Sequence, residues 1–110
     1  MIASGPGADA PVPGPGLPLD DAAAALFTVG QVADVLGVQQ AFLRRLDSHD
    51  VVSPARSDGQ QRRYSRHDVH RVQAALVLID GGLTLPGVRM VLDLRQQVSD
   101  LQQQVRELSS

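Results

Sequence analysis

A chain of 110 residues with a net charge of -2 and no cysteine has room for one small domain. Without cysteine, disulfides, thiolate metal sites and a cysteine nucleophile are excluded. No apolar run reaches the ~20 residues of a membrane span, and the N-terminus lacks the basic and apolar regions of a secretion signal. The expectation is a cytoplasmic protein.

The acidic balance hides an uneven distribution. All ten basic residues are Arg. Seven of them, Arg44, Arg45, Arg56, Arg62, Arg63, Arg66 and Arg71, fall in one stretch, opposed there by Asp47, Asp50, Asp58 and Asp68. The first 26 residues carry Asp9, Asp20 and Asp21 and nothing positive. A local basic patch, not net charge, is the electrostatic footprint of phosphate binding.

Residues 1–26 are rich in Pro and Gly, lack apolar periodicity, and are expected to form a disordered tail. The run Ala22–Ala25 has the composition of a nascent helical turn. Order is expected from Phe27. Thr28 with Gln31 three residues on is a capping box, and Phe27 and Val32 stand at hydrophobic-staple positions. Val29, Val32, Ala33 and Leu36 then recur at helical spacing up to Gly37, giving a helix of about nine residues. A second helix after Val38 carries Phe42, Leu43 and Leu46 on one face. Two short amphipathic helices around a Gly-containing turn fit a helix-turn-helix, and equally a plain αα-hairpin.

The segment from Val51 to Tyr64 favours the helix-turn-helix. Val51-Val52-Ser53-Pro54 reads as a short strand, Ser57-Asp58-Gly59-Gln60 as a turn, and Gln61-Arg62-Arg63-Tyr64 as the returning strand. The product is a β-hairpin with Arg at its tip and return arm. Ser65 caps a third helix, with Asp68 at N3 and Val69, Val72, Leu76 and Ile79 as its buried stripe. Gly81-Gly82 ends it, and a last helix begins after Leu85-Pro86-Gly87. From Val91 the apolar spacing alternates by three and four. Val91, Leu94, Val98, Leu101, Val105 and Leu108 make a heptad seam with Val at a and Leu at d. Packing of this helix on its own domain is the alternative. The polar faces beyond residue 95 favour a coiled-coil partner, although about two and a half heptads make a weak coil.

The order of these pieces, TVGQVADVLGV (28–38), FLRRLD (42–47), VVSPAR (51–56), RRYSRHDV (62–69) and GLTLPGVRMVLDL (82–94), resembles the MerR family of transcription regulators, and most of all its actinobacterial heat-shock-repressor branch. The resemblance spans residues 27–108. It implies a mainly α fold: a winged helix-turn-helix domain over 27–90 with a small β-hairpin wing, then an antiparallel coiled-coil dimerisation helix over 91–110. It places Gly81–Gly87 in a second wing. The second helix would enter the major groove of double-stranded DNA, where Gln39, Gln40, Arg44 and Arg45 reach bases and backbone. Arg56, Arg62 and Arg63 would grip the backbone or the minor groove, the planar guanidinium being suited to phosphate, and Thr28 belongs to the same DNA-contact set. For each of these arginines a solvated surface role is the plain alternative. Tyr64 resembles a wing tyrosine of the family, with packing under the hairpin as its other role.

Departures from the family pattern matter. Phe42 and Leu46 replace the usual Thr and Tyr, which removes two hydroxyl contacts to phosphate. His49-Asp50 stands where Leu-Gly is usual, setting a carboxylate at a helix C-terminus and at a left-handed cap that suits Gly. His49, His67 and His70 make no metal set, no cofactor is expected, and no catalytic group is recognisable. The expectation is a nucleoid-associated homodimer that represses from an inverted repeat, without an effector-binding domain. A protein co-repressor or RNA polymerase are the further partners the resemblance admits. The competing reading is an adaptor whose winged domain and coil contact proteins instead of DNA.

Overall fold

The computed structural model describes residues 23–109. Most of the expected tail therefore lies outside the described residues. Seven elements succeed one another: β1 (Ala25–Thr28), α1 (Val29–Leu36), α2 (Gln40–Ser48), β2 (Ala55–Arg56), β3 (Arg62–Ser65), α3 (Arg66–Asp80) and α4 (Leu85–Ser109). The strands form one antiparallel sheet in the order β1-β3-β2.

β1 corrects the sequence reading at the tail boundary, because Ala25 and Leu26 are strand and not the end of a coil or helical turn. The reason is long-range. A two-stranded hairpin is marginal alone, and β1 supplies its third strand. Phe27 stands opposite Tyr64, and Thr28 opposite Arg63. The next element starts as the sequence implies. Thr28 accepts from the Gln31 amide and the Gln31 side chain accepts from the Thr28 amide, completing the capping box. Gly37 ends α1 at φ +68, a left-handed conformation that favours glycine.

α2 ends differently. Val51 N–H donates to Leu46 C=O at 2.8 Å and Asp50 N–H to Asp47 C=O at 3.0 Å, the paired bonds of a Schellman motif. Asp50 occupies its left-handed position at φ +58. This also corrects the strand expected at Val51-Val52. Both amides turn back to Leu46 C=O, so they are unavailable to a ladder, and both side chains go into the core. The strand proper is Ala55–Arg56.

The core gathers Val32, Ala33, Leu43, Leu46, Val51, Val52, Tyr64, Val72, Ala75, Val88 and Leu92, with Phe27, Phe42, Val69, Leu76 and Ile79 half-buried around it. In α3 the innermost positions are Val72 and Ala75. Val69, Leu76 and Ile79 flank them instead of forming the centre of the stripe. Ser65 and Asp68 make a second capping box at its start. Gly81-Gly82 carries the chain through a tight turn, with Gly82 at φ +101. α4 then runs unbroken across residues 90 and 91, so one helix belongs to both the winged domain and the heptad segment. Val88 and Leu92 anchor it in the core. Every residue from Gln97 to Ser109 is exposed. No helix among the described residues is long and apolar enough to cross a membrane.

Candidate nucleic-acid interface

α2 is held from one side only. Leu43 and Leu46 are essentially buried, while Gln39, Gln40, Arg44 and Arg45 are exposed on the outer side. Arg44 Nη2 donates to Gln40 Oε1 at 3.1 Å, one helical turn back, which presents an amide and a guanidinium as a unit. Gly30 lies between these parts: a Cβ there would meet Gln40 Nε2 at 3.5 Å and Thr28 Oγ1 at 3.9 Å, ordinary van der Waals contact. The start of α1, Thr28 and the start of α2 are thus neighbours.

The sheet extends this strip. Cross-strand partners share a face, so Thr28, Arg63 and Ala55 lie on the side opposite Phe27 and Tyr64. Arg63 therefore faces away from the core, beside Thr28. Thr28, Gln40, Arg44 and Arg63 thus adjoin one another as a polar and cationic surface, while Gln39 and Arg45 are exposed elsewhere on α2 and its N-cap. The Thr28 hydroxyl is already the cap of α1, yet its O–H remains a donor.

Arg56 and Arg62 behave differently from Arg63. They sit on the inner face of the hairpin as a cross-strand pair. Both turn to Asp47 at the end of α2: Arg62 Nε donates to Asp47 Oδ2 at 2.6 Å and Arg56 Nη2 to the same oxygen at 3.1 Å. Arg56 Nη1 also donates to Gln60 C=O in the hairpin turn. The basic stretch thus contains an ion-paired cluster that the sequence reading missed. Spacings of nine and fifteen residues carry no periodic signal, and Asp47 read only as an opposing charge.

Two further corrections apply to the cationic set. Tyr64 is 1% exposed, so its ring is core and lies outside the surface strip. Among the described residues its hydroxyl has no hydrogen-bond partner, and burial pushes its pKa above the ordinary phenol value, partly offset by the Arg62 guanidinium. Arg71 is structural. It donates through Nε to Val51 C=O and through Nη2 to Asp93.

The sequence profile described as MerR HTH family regulatory protein matches residues 27–94, from the cap of α1 into α4. The chain belongs to the MerR family. Among curated relatives, a protein described as putative heat shock protein HspR of Streptomyces coelicolor is 31% identical over 86 residues, covering 77% of this chain. The chain spans 57% of that protein's length. The HTH-type transcriptional regulator GlnR of Bacillus anthracis is 29% identical over 93 residues, covering 82% of this chain and 72% of its own. Among solved structures, the N-terminal part of MtaN, the Bacillus subtilis multidrug transporter activator, superposes with a TM-score of 0.58 at 27% identity, covering 76% of this chain and 88% of that one. HiNmlR, a MerR family regulator lacking the sensor domain and bound to promoter DNA, shares the fold with a TM-score of 0.55 at 17% identity, covering 76% of this chain and 79% of that one.

Within the MerR frame, the departures in α2 acquire structural reasons. Phe42 is half-buried and packs against the core, and Leu46 is fully buried, so both positions serve packing here. Asp50 takes the left-handed cap, and its carboxylate lies 3.8 Å from Arg89 Nη1 on α4.

The three-and-four spacing from Leu94 to Leu108 runs along one face of α4, with Val91 half-buried at its start. Leu94, Val98, Leu101, Val105 and Leu108 are each more than half exposed.

Proposed function

We propose that this MerR-family protein is a DNA-binding repressor that works as a homodimer on an inverted repeat. One observation carries the reading: α2 is anchored by Leu43 and Leu46 and turns Gln40, Arg44 and Arg45 outward, with Gln39 exposed at its N-cap. An exposed helix face of amide and guanidinium groups suits the major groove, where Gln pairs with adenine and Arg with guanine edges. Arg63 and Thr28 extend that face to the adjoining phosphates.

The dimer is supported by α4. Five apolar side chains on an exposed projection would be a solubility liability if left uncovered, and an isolated helix of this length is marginal in water. A second copy of the seam covers the first. Val at a and Leu at d suit a two-stranded coil. An antiparallel arrangement sets the two winged domains at opposite ends, where each meets its own half-site. Repression is carried by the likeness to the heat-shock-repressor branch.

The test is fluorescence anisotropy with a random-sequence duplex over a range of salt. A dimer neutralising ~6–10 phosphates gives a slope of log affinity against log salt of roughly -5 to -9. Arg63→Ala flattens the slope by ~2 per dimer, one phosphate per protomer. Salt-insensitive binding, or no binding to any duplex at low salt, overturns the proposal in favour of the protein-contact adaptor.

A further inference from the structure

We propose that Asp47 is a specificity-determining positioning residue: it fastens the wing arginines to the end of the recognition helix and restrains their sequence-independent grip on phosphate. The inference rests on the DNA-binding reading above.

The local placement of Asp47 argues for a role beyond α2 itself. A carboxylate in the last turn of a helix opposes the macrodipole, so α2 gains nothing from it. Its stabilising partners lie outside the helix. One oxygen, Oδ2, accepts from Arg62 Nε at 2.6 Å and Arg56 Nη2 at 3.1 Å, with the Asp47 side chain 17% exposed. Its base is fixed, because the preceding Leu46 is fully buried and its carbonyl closes the Schellman motif. At the other end, Arg56 bonds the carbonyl of Gln60 in the hairpin turn. The link therefore runs from α2 through one carboxylate to both strands and the tip of the wing.

The clamp affects binding in two ways. First, it uses the Nε of Arg62 and leaves its terminal Nη pair, which is the fork that fits a phosphate. The wing and α2 then approach DNA in one fixed relation, so a base misread by α2 cannot be accommodated by a shift of the wing. Second, one carboxylate offsets one of the two guanidinium charges that the wing would bring toward DNA. That lowers the part of the affinity that is blind to sequence. Both effects raise the ratio of specific to random binding.

The experiment compares wild type, Asp47→Asn and Asp47→Glu on two probes: a random-sequence duplex, and the duplex that wild type enriches from a random pool. Asp47→Asn keeps the size and an acceptor oxygen but removes the charge. Its expected signature is tighter random binding by about threefold to tenfold, a salt slope steeper by ~1–2, and a specific-to-random ratio reduced about tenfold. Asp47→Glu restores the charge and with it most of the wild-type ratio. The Arg62 Nε–H signal, read by NMR in the free protein, is protected from exchange in wild type and Asp47→Glu and loses that protection in Asp47→Asn. Equal loss of affinity for both probes in Asp47→Asn, or an unchanged ratio with the Arg62 signal unprotected, overturns the proposal while leaving the DNA-binding reading intact. Failure of wild type to bind either probe rejects that reading and, with it, this one.

Discussion

Arg71 Nη2 lies 2.7 Å from Asp93 Oδ1, joining α3 to α4 across 22 residues of sequence, while its Nε holds the carbonyl of Val51. One side chain thus fixes the exit of α2, the body of α3 and the departure direction of α4. The Arg71 side chain is only 17% exposed, although Asp93 is 47% exposed and the pair is partly screened. Arg71→Ala should lower stability by about 1–2 kcal/mol, because the Val51 carbonyl and the Asp93 carboxylate both lose a charged donor. In a domain of this size the thermal midpoint should fall by at least about 5 °C. At temperatures where the variant is folded, its affinity for a random duplex should match wild type within about twofold. An unchanged midpoint with lost DNA binding would place Arg71 at the phosphates after all.

Asp50 offers a gain. It holds a left-handed conformation at φ +58 and sets negative charge at the C-terminal end of α2. Its partner Arg89 is 3.8 Å away with both side chains at least half exposed, a geometry worth little. Asp50→Gly should therefore raise stability by about 0.5–1 kcal/mol in urea denaturation. Asp50→Ala should do worse than Asp50→Gly, since a Cβ keeps the left-handed penalty. A net loss for Asp50→Gly would mean that the Arg89 contact outweighs the backbone term.

Tyr64→Phe separates core from interface. The phenol oxygen is buried without a partner among the described residues, so removing it should leave stability unchanged or raise it by up to about 1 kcal/mol, with DNA affinity unaltered. The pH dependence has a definite sign. Burial raises the folded-state pKa above the ordinary 10.0. This contribution is therefore full below pH 10 and is lost as pH rises from there through the folded-state value, where the unfolded phenol ionises first. Denaturation at pH values from about 9 to about 12 should show wild type losing more stability than Tyr64→Phe. A weaker affinity of Tyr64→Phe for duplex at neutral pH would instead return the hydroxyl to the interface.

The orientation of the coil is open to a simple chemical check. In an antiparallel pair Val105 lies far from its own copy, so Val105→Cys should resist self-crosslinking under mild oxidation. Ready crosslinking of both Val98→Cys and Val105→Cys, each in register, would demonstrate parallel strands.

Local signals were legible in the sequence; long-range pairings were not. Both capping boxes, the glycine stop at Gly37 and the left-handed position at Asp50 depend on residues within a turn or two, and they stand where the sequence puts them. The heptad face of α4 comes from period alone. β1 was invisible because Ala25–Thr28 becomes a strand only through its register with β3. Val51-Val52 resembles a strand in composition, yet its amides are taken by the helix end. The candidate site divides in the same way. The exposed face of α2 could be read from helical spacing. The division of three wing arginines between an outward Arg63 and an Asp47-bound Arg56 and Arg62 depended on hairpin register, which the sequence does not display.

The central claim, a dimer reading two half-sites, is tested most directly by selecting duplexes from a random-sequence pool with the full chain and with Leu101→Asp. The substitution sets an unpaired charge in the seam, where burial costs several kcal/mol, more than so short a coil supplies. Wild type is predicted to enrich an inverted repeat whose half-sites are centred about one helical turn, ~34 Å, or a multiple of it apart. Leu101→Asp, monomeric by light scattering with its winged domain folded, is predicted to enrich no such repeat. Enrichment of a single unrepeated site by wild type, or of the same repeat by a monomeric Leu101→Asp, would contradict the account.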